Sequence, residues 1–220
     1  MKAGVLGVVD GTFTVVDSFT EAVTEDGHEL ERCLTIDRVF SLPSGEMAFE
    51  GRAAADAIAT ETATTIETGD IYVDERERTV TRFAEFVGIP GEFVVVDSGD
   101  GAFAFDFIGR ETNSSIERAT VDLDEFVAAR EGATPWKAGF YGPAETDVNG
   151  VFHGADLRDE MGDVLETSSL NQIGLSYEHD GDDVKMTATR SGYVELYRPA
   201  SFDSAEFLEY IRDEILPSLE

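Results

Sequence analysis

The residues of this chain whose types and spacing could do chemistry fall into three groups. The sharpest is Asp97-Ser98-Gly99-Asp100-Gly101, two carboxylates set among glycines directly after the apolar run Phe93-Val94-Val95-Val96. Glycines let backbone amides approach an anion, and a nearby carboxylate can hold a metal-bound water. The second group, Asp180-Gly181-Asp182-Asp183, spaces carboxylates as a hard cation would require, but it lacks the EF-hand offset and reads as a solvated hairpin tip. The third is aromatic. Trp136-Lys137-Ala138-Gly139-Phe140-Tyr141-Gly142 interleaves large rings with glycine, and Tyr193 and Tyr197 flank Glu195. Exposed Trp and Tyr beside a few bases are what contact surfaces use. His28, His153 and His179 stand apart from one another and from Cys33, outside any His-Glu-x-x-His pattern. The lone cysteine allows no intramolecular disulfide and reads as a small buried apolar residue. Serine-nucleophile elbows, Walker loops and dinucleotide fingerprints are absent from the sequence.

Charge limits what those groups can mean. Among 220 residues, 46 acids oppose 16 bases for a formal charge of −30, with 42% hydrophobic residues and 15 phenylalanines supplying a core. Disorder is therefore not expected. A surface so negative has no stripe of bases to neutralise phosphates, so neither nucleic acid nor an anionic membrane is expected as a partner. Thirteen of the bases are Arg and three are Lys, and the acids run the length of the chain. This resembles the cytosolic proteins of haloarchaea, where molar salt screens self-repulsion. Most carboxylates are then solvent chemistry, which discounts any acidic motif. The first apolar run is short and broken by Asp10, unlike a signal peptide, and no later stretch reaches membrane-spanning length. A cytoplasmic protein is expected.

The elements that would position these groups read as α+β. Asp10-Gly11 suggests a first hairpin that places Leu6, Val8, Phe13 and Val15 on one face. The alanine-rich stretch 52–67 reads as a helix, as does 75–87 behind the Asp74-x-x-Glu77 capping box. Phe93–Asp97 and Ala102–Phe107 form a second, two-sided apolar hairpin around the Asp97–Gly101 loop. Residues 110–120 are the most turn-prone, so two halves are expected, 1–112 and 118–220. In the second half, an Asp122-x-x-Glu125 box starts a short helix. Strands follow at 136–141 and 148–153, then a helical stripe from Leu157 through Met161 to Leu165. A three-stranded meander comes next, its first turn at Gly181-Asp182 pairing Tyr177 with Met186. Its second turn, Arg190-Ser191-Gly192, pairs Val194 with Ala188 and Leu196 with Met186. A helix from the Asp203-x-x-Glu206 box then presents Leu208, Ile211 and Ile215 to the apolar sheet face.

Two local resemblances bear on function. Asp97-Ser98-Gly99-Asp100-Gly101 resembles the second phosphate-binding loop of the actin family, a strand-turn-strand. That likeness implies ATP phosphates on the amides of Gly99 and Gly101, and a metal-bound water near Asp97 and Asp100. Ala102 stands where that family carries threonine. Residues 172–217, with their Ser191-Gly192 hairpin and final helix, resemble the layout of a TATA-binding-protein lobe, which implies a nucleic-acid-facing sheet, though without that family's bases. Weighed together, the residues favour a non-catalytic cytoplasmic binding or adaptor protein without cofactor, contacting a protein partner or a second copy through Trp136, Tyr141, Tyr193 and Tyr197. The alternatives are a small nucleotide- or metal-dependent enzyme using the Asp97–Gly101 loop, and a nucleic-acid-associated module.

Overall fold

A computed structural model of the chain describes residues 1–13, 17–142, 149–158 and 168–220. One antiparallel sheet of twelve strands dominates these residues. In chain order the strands are β1 (Ala3–Gly11), β2 (Phe19–Glu25), β3 (His28–Ser41), β4 (Met47–Glu67), β5 (Asp70–Ile89), β6 (Phe93–Val96), β7 (Ser114–Arg118), β8 (Thr134–Tyr141), β9 (Asn149–His153), β10 (Ser169–His179), β11 (Asp182–Thr189) and β12 (Tyr193–Arg198). Their spatial order is β2-β3-β4-β5-β6-β1-β12-β11-β10-β8-β9, with β7 also on β1. The helices α1 (Phe103–Thr112), α2 (Leu123–Ala128) and α3 (Ser204–Tyr210) are short. The fold is therefore predominantly β, which corrects the α+β expectation.

Three of the expected elements change type. Residues 52–67 and 75–87 are not helices but parts of β4 and β5, paired residue for residue from Phe49↔Gly88 to Glu67↔Asp70. Thr68 and Gly69 turn that hairpin with φ of 53° and 94°. Ala102–Phe107 is not a strand: the chain leaves β6 through Asp97–Gly99 and a tight turn at Asp100–Ala102, then enters α1. Asp10-Gly11 makes no hairpin, because β1 pairs with β6, β12 and β7, and Gly11 lies opposite Ser114. The expected stripe from Met161 to Leu165, and Val15 of the first hairpin, lie outside the described residues.

β1 is where the sheet's two parts join. Val5, Val94 and Val96 pack on one face with Phe86, Phe105, Phe107 and Ile108 under α1. Leu6, Val87, Phe93 and Val95 point the other way into a larger core. There they meet Ile173, Leu175, Val184, Met186, Leu196 and the buried residues of α2 and α3. Alternation along these strands sends side chains to opposite faces, so the central strands are apolar on both sides. From β12 to β8 the α2/α3 face carries the core.

The C-terminal unit follows its sequence pattern closely. Val194 lies opposite Ala188 and Leu196 opposite Met186, and Gly192 takes φ +78° in the three-residue turn. A Cβ there would come within 2.5 Å of the Ala119 carbonyl oxygen. The β10–β11 turn falls on Asp180-Gly181 instead of Gly181-Asp182, pairing Tyr177 with Val184 and Leu175 with Met186. A shift of two residues preserves which face each side chain takes, so the apolar face survives. Asp203 caps α3 in a reciprocal box with Glu206, and Asp122 caps α2 through the amides of Asp124 and Glu125.

Candidate functional site

Two irregularities in the pairing build an aromatic cluster on the side of the sheet away from α2 and α3. Between β8 and β10, Lys137 pairs with Gly174 and Pro135 with Leu175, so Trp136 is an extra residue without an opposite number. Between β11 and β12, Lys185 pairs with Arg198 and Met186 with Leu196, leaving Tyr197 in the same position. A bulge of this kind turns a side chain off the regular alternation. Here both bulges aim rings at the same place: the Trp136 and Tyr197 centroids are 5.6 Å apart at 81°, edge to face. Gly174 makes the arrangement possible, since a Cβ at that position would sit 2.7 Å from Trp136 Cε2 and 2.8 Å from Lys137 Cβ.

Polar contacts hold the rings in place. Trp136 Nε1 donates to the Leu175 carbonyl at 3.2 Å, and Lys185 Nζ lies 4.3 Å from the Trp136 ring centroid. Tyr197 donates its hydroxyl to Glu195 Oε2 at 2.9 Å, and Tyr193 donates to the same oxygen at 3.4 Å. Partial burial, with the Glu195 carboxylate beside them, raises both phenols above the ordinary tyrosine value. Tyr197 remains 43% exposed, whereas Trp136 and Tyr193 are half-buried, Tyr193 against the core beneath α1. Among the described residues, neither Lys137 nor Lys185 forms an ion pair. Two of the chain's three lysines thus share an aromatic face in a protein of charge −30.

Of the sequence-derived contact residues, the structure gathers Trp136, Tyr193 and Tyr197 and leaves Tyr141 apart. Tyr141 is exposed at the end of β8, opposite Ser169 and Asn149, next to a Phe140–Phe152 stack. The chain matches no protein-family model and no curated protein. What the face can do is therefore read from its geometry: a preordered edge-to-face ring pair with Lys185 held over Trp136 and, among the described residues, no ion pair on Lys137 or Lys185.

The Asp97–Gly101 segment is built differently from its expected strand-turn-strand. Gly101 N–H donates to the Ser98 carbonyl and to Ser98 Oγ, and Ala102 N–H donates to the Gly99 carbonyl, so these amides are spent within the turn. Asp97 N–H bonds the Glu85 carbonyl, while its buried Oδ1 has no hydrogen-bond partner among the described residues. Asp100 and Gly99 are exposed. Cys33 is half-buried between Thr20 and Thr35, and among the described residues no three His, Cys, Asp or Glu side chains gather as metal ligands. No helix among those residues is long and apolar enough to cross a membrane.

Sequence reasoning missed one polar constellation. The helical path of α3 runs on through a π-type turn at Ile211–Ile215, which carries Glu214 over the end of β10. Glu214 Oε2 accepts from Arg130 Nη2 at 2.6 Å and from Tyr177 at 3.2 Å, while Oε1 lies 3.1 Å from His179 Nδ1. Tyr177 also bonds Tyr210 at 2.7 Å. Arg130 further donates to the Phe126 and Glu214 carbonyls and covers the Phe126 ring. Burial pushes Tyr177 up to about 12 and raises Tyr210 well above its ordinary value. The Tyr210/Glu214 spacing of four on the final helix was the available signal. This network borders a cleft of about 610 Å³, where Glu131, Glu178, Asp213 and Glu214 outnumber Arg130. Because Arg130 is already bonded to a carboxylate and two carbonyls, the network ties α2 and the C-terminus to β10 and offers little to a ligand.

Proposed function

We propose that this protein is a non-catalytic binding module of a salt-loving archaeal cytoplasm, engaging a protein partner through the sheet face that carries Trp136, Tyr197, Tyr193 and Lys185. The observation that supports this is the pair of bulges: two independent departures from regular pairing converge on one ring pair. Rings already fixed by hydrogen bonds lose little side-chain entropy on binding, and an indole and phenol in one patch are the residue types that dominate contact energetics. Lys137 and Lys185 add attraction for acidic partners, which most proteins of such a cell would be. The acidic character elsewhere in the chain keeps duplex nucleic acid away, since neutralising several phosphates needs more than two lysines.

The test is recovery of tagged protein from its own cells in molar KCl. A companion in stoichiometric amount, whether an untagged copy or another chain, is expected with wild type. Tyr197→Ala and Lys185→Glu should lose it without lowering Tm. Recovery of the tagged chain alone, or retention of the companion by both variants, would overturn the reading. A rise in Tm with Mg²⁺-nucleotide that disappears in Asp97→Asn would move the function to the Asp97–Gly101 turn instead.

A further inference from the structure

β4 and β5 are about five times the length of β6 and outrun the sheet. β4 pairs with β3 only up to Ala55, and β5 pairs with β6 only over Phe86–Ile89. Beyond Ala55 the two strands pair with each other alone as far as Glu67↔Asp70. The twelve β4 residues from Asp56 to Glu67, at ~3.3 Å each, put the tip ~40 Å past the last pair with β3. A two-stranded ribbon in water is marginal by itself, so a long one invites a partner. Its tip is chemically distinct: residues 66–75 read Ile-Glu-Thr-Gly-Asp-Ile-Tyr-Val-Asp-Glu, four acids and no base around four large apolar side chains. Ile66 is 76% exposed, Ile71 70% and Val73 63%. Cross-strand pairing sets Ile66 against Ile71 and Thr64 against Val73 on one face of the ribbon.

The same chain holds the complementary surface. The Trp136/Tyr197 face is aromatic: its Glu195 carboxylate is engaged by the Tyr193 and Tyr197 hydroxyls, and among the described residues Lys137 and Lys185 form no ion pair. We infer that the β4–β5 arm of one copy docks its acidic, isoleucine-bearing tip on the Trp136/Tyr197/Lys185 face of another. This rests on the proposed function and names the partner as a second copy. Arm-to-arm pairing is disfavoured at the tip, where Glu67, Asp70 and Glu75 would meet the same acids, Asp74 being already paired with Arg76. Arm-to-face contact brings acids to lysines and aliphatic side chains to rings. In molar KCl the Debye length falls to ~3 Å, so only charges in direct contact keep their attraction and the apolar part carries most of the affinity. A ribbon tip covers less than the ~800 Å² per partner of a standard interface, so association should be weak and concentration-dependent.

Analytical ultracentrifugation in molar KCl, over a wide concentration series, tests the pairing. Wild type should show a mass that climbs above the monomer. Ile71→Asp in the arm and Lys185→Glu on the face should each abolish the climb at unchanged Tm. An equimolar mixture of the two variants should form a dimer and nothing larger, because it contains one intact arm and one intact face. A wild type that stays monomeric throughout overturns the inference, as does a mixture that stays monomeric. If Lys185→Glu dissolves the assembly while Ile71→Asp leaves it intact, the arm inference falls and the face reading stands with another occupant.

Discussion

Replacing Glu214 with leucine should be among the most damaging single changes outside the hydrophobic core. The carboxylate serves three side chains at once, Arg130, Tyr177 and His179. The Arg130 and Glu214 side chains are only 11% and 20% exposed, so water replaces the lost bonds poorly. Breaking a buried pair from one side costs ~3–5 kcal/mol, since it strands the other charge. Arg130 keeps two carbonyl acceptors, Phe126 and the backbone of residue 214, which places the expected loss at the low end, ~3 kcal/mol. For a chain of this size, ~3 kcal/mol lowers Tm by ~6 °C. Removing both partners in Arg130→Met/Glu214→Leu deletes the stranded charge and keeps an aliphatic stem over Phe126. The double variant should therefore cost less than the sum of the singles by at least ~1 kcal/mol. Denaturant unfolding in molar KCl of the four proteins in this cycle gives the number. Additive singles, or a Glu214→Leu loss under ~1 kcal/mol, would show that the network is solvated and not a structural tie.

Alkali should unfold the protein through the paired phenols. Tyr177 is raised to about 12, and Tyr210 is also raised, so above pH 10 the unfolded chain loses protons that the folded chain keeps. Stability is intact below pH 10 and falls as pH rises towards 12, by up to ~1.4 kcal/mol per unit for each phenol. Tyr177→Phe should flatten that fall, and ultraviolet titration should show these phenols ionising only with unfolding. Gly174→Ala should displace Trp136, because its Cβ would meet that ring at 2.7 Å; Trp136 is the chain's sole tryptophan, so its emission should shift to the red. Tm should climb with KCl concentration as a charge of −30 is screened, and a flat salt response would contradict the salt-adapted reading of the composition.

How far the sequence could be read depended on whether a segment had a buried face. β10, β11 and β12 present alternate residues to α3, so their parity was legible, and the Gly192 turn followed from it. The Asp180-Gly181 register was off by two because parity cannot distinguish shifts of that size. The β4–β5 ribbon has no such face: from Glu61 to Thr81 almost every residue is exposed or half-exposed, so no period of two was imposed on its sequence. Alanines and a chance Asp74-x-x-Glu77 box then mimicked helices. In α1 the failure was the reverse. Phe103, Phe105 and Phe107 alternate like a strand, but Ala104, Phe107 and Ile108 are buried at helical spacing, and the run is too apolar for either period to stand out. Trp136, Tyr193 and Tyr197 were identifiable by residue type. Their convergence was not, because it depends on two bulges that composition does not announce.

Those bulges also keep the rings from forming a regular apolar stripe along a strand pair. A flat regular pair of strands with aromatic side chains would offer an extended apolar stripe to any similar surface. Here the bulged positions interrupt the ladder at both β8 and β12, Trp136 gives its N–H to a carbonyl, and Glu195 holds both phenols. Lys137 and Lys185 make this patch the exception on a strongly acidic chain. On the proposed function, selectivity would come from needing two features together, apolar side chains to meet the rings and acids placed to meet Lys137 and Lys185. A partner with only one of them should bind weakly, so Lys185→Met, which keeps the aliphatic stem over Trp136 and removes the charge, should weaken association less in molar KCl than in dilute salt. Equal weakening at both salt concentrations would mean that Lys185 acts by packing alone.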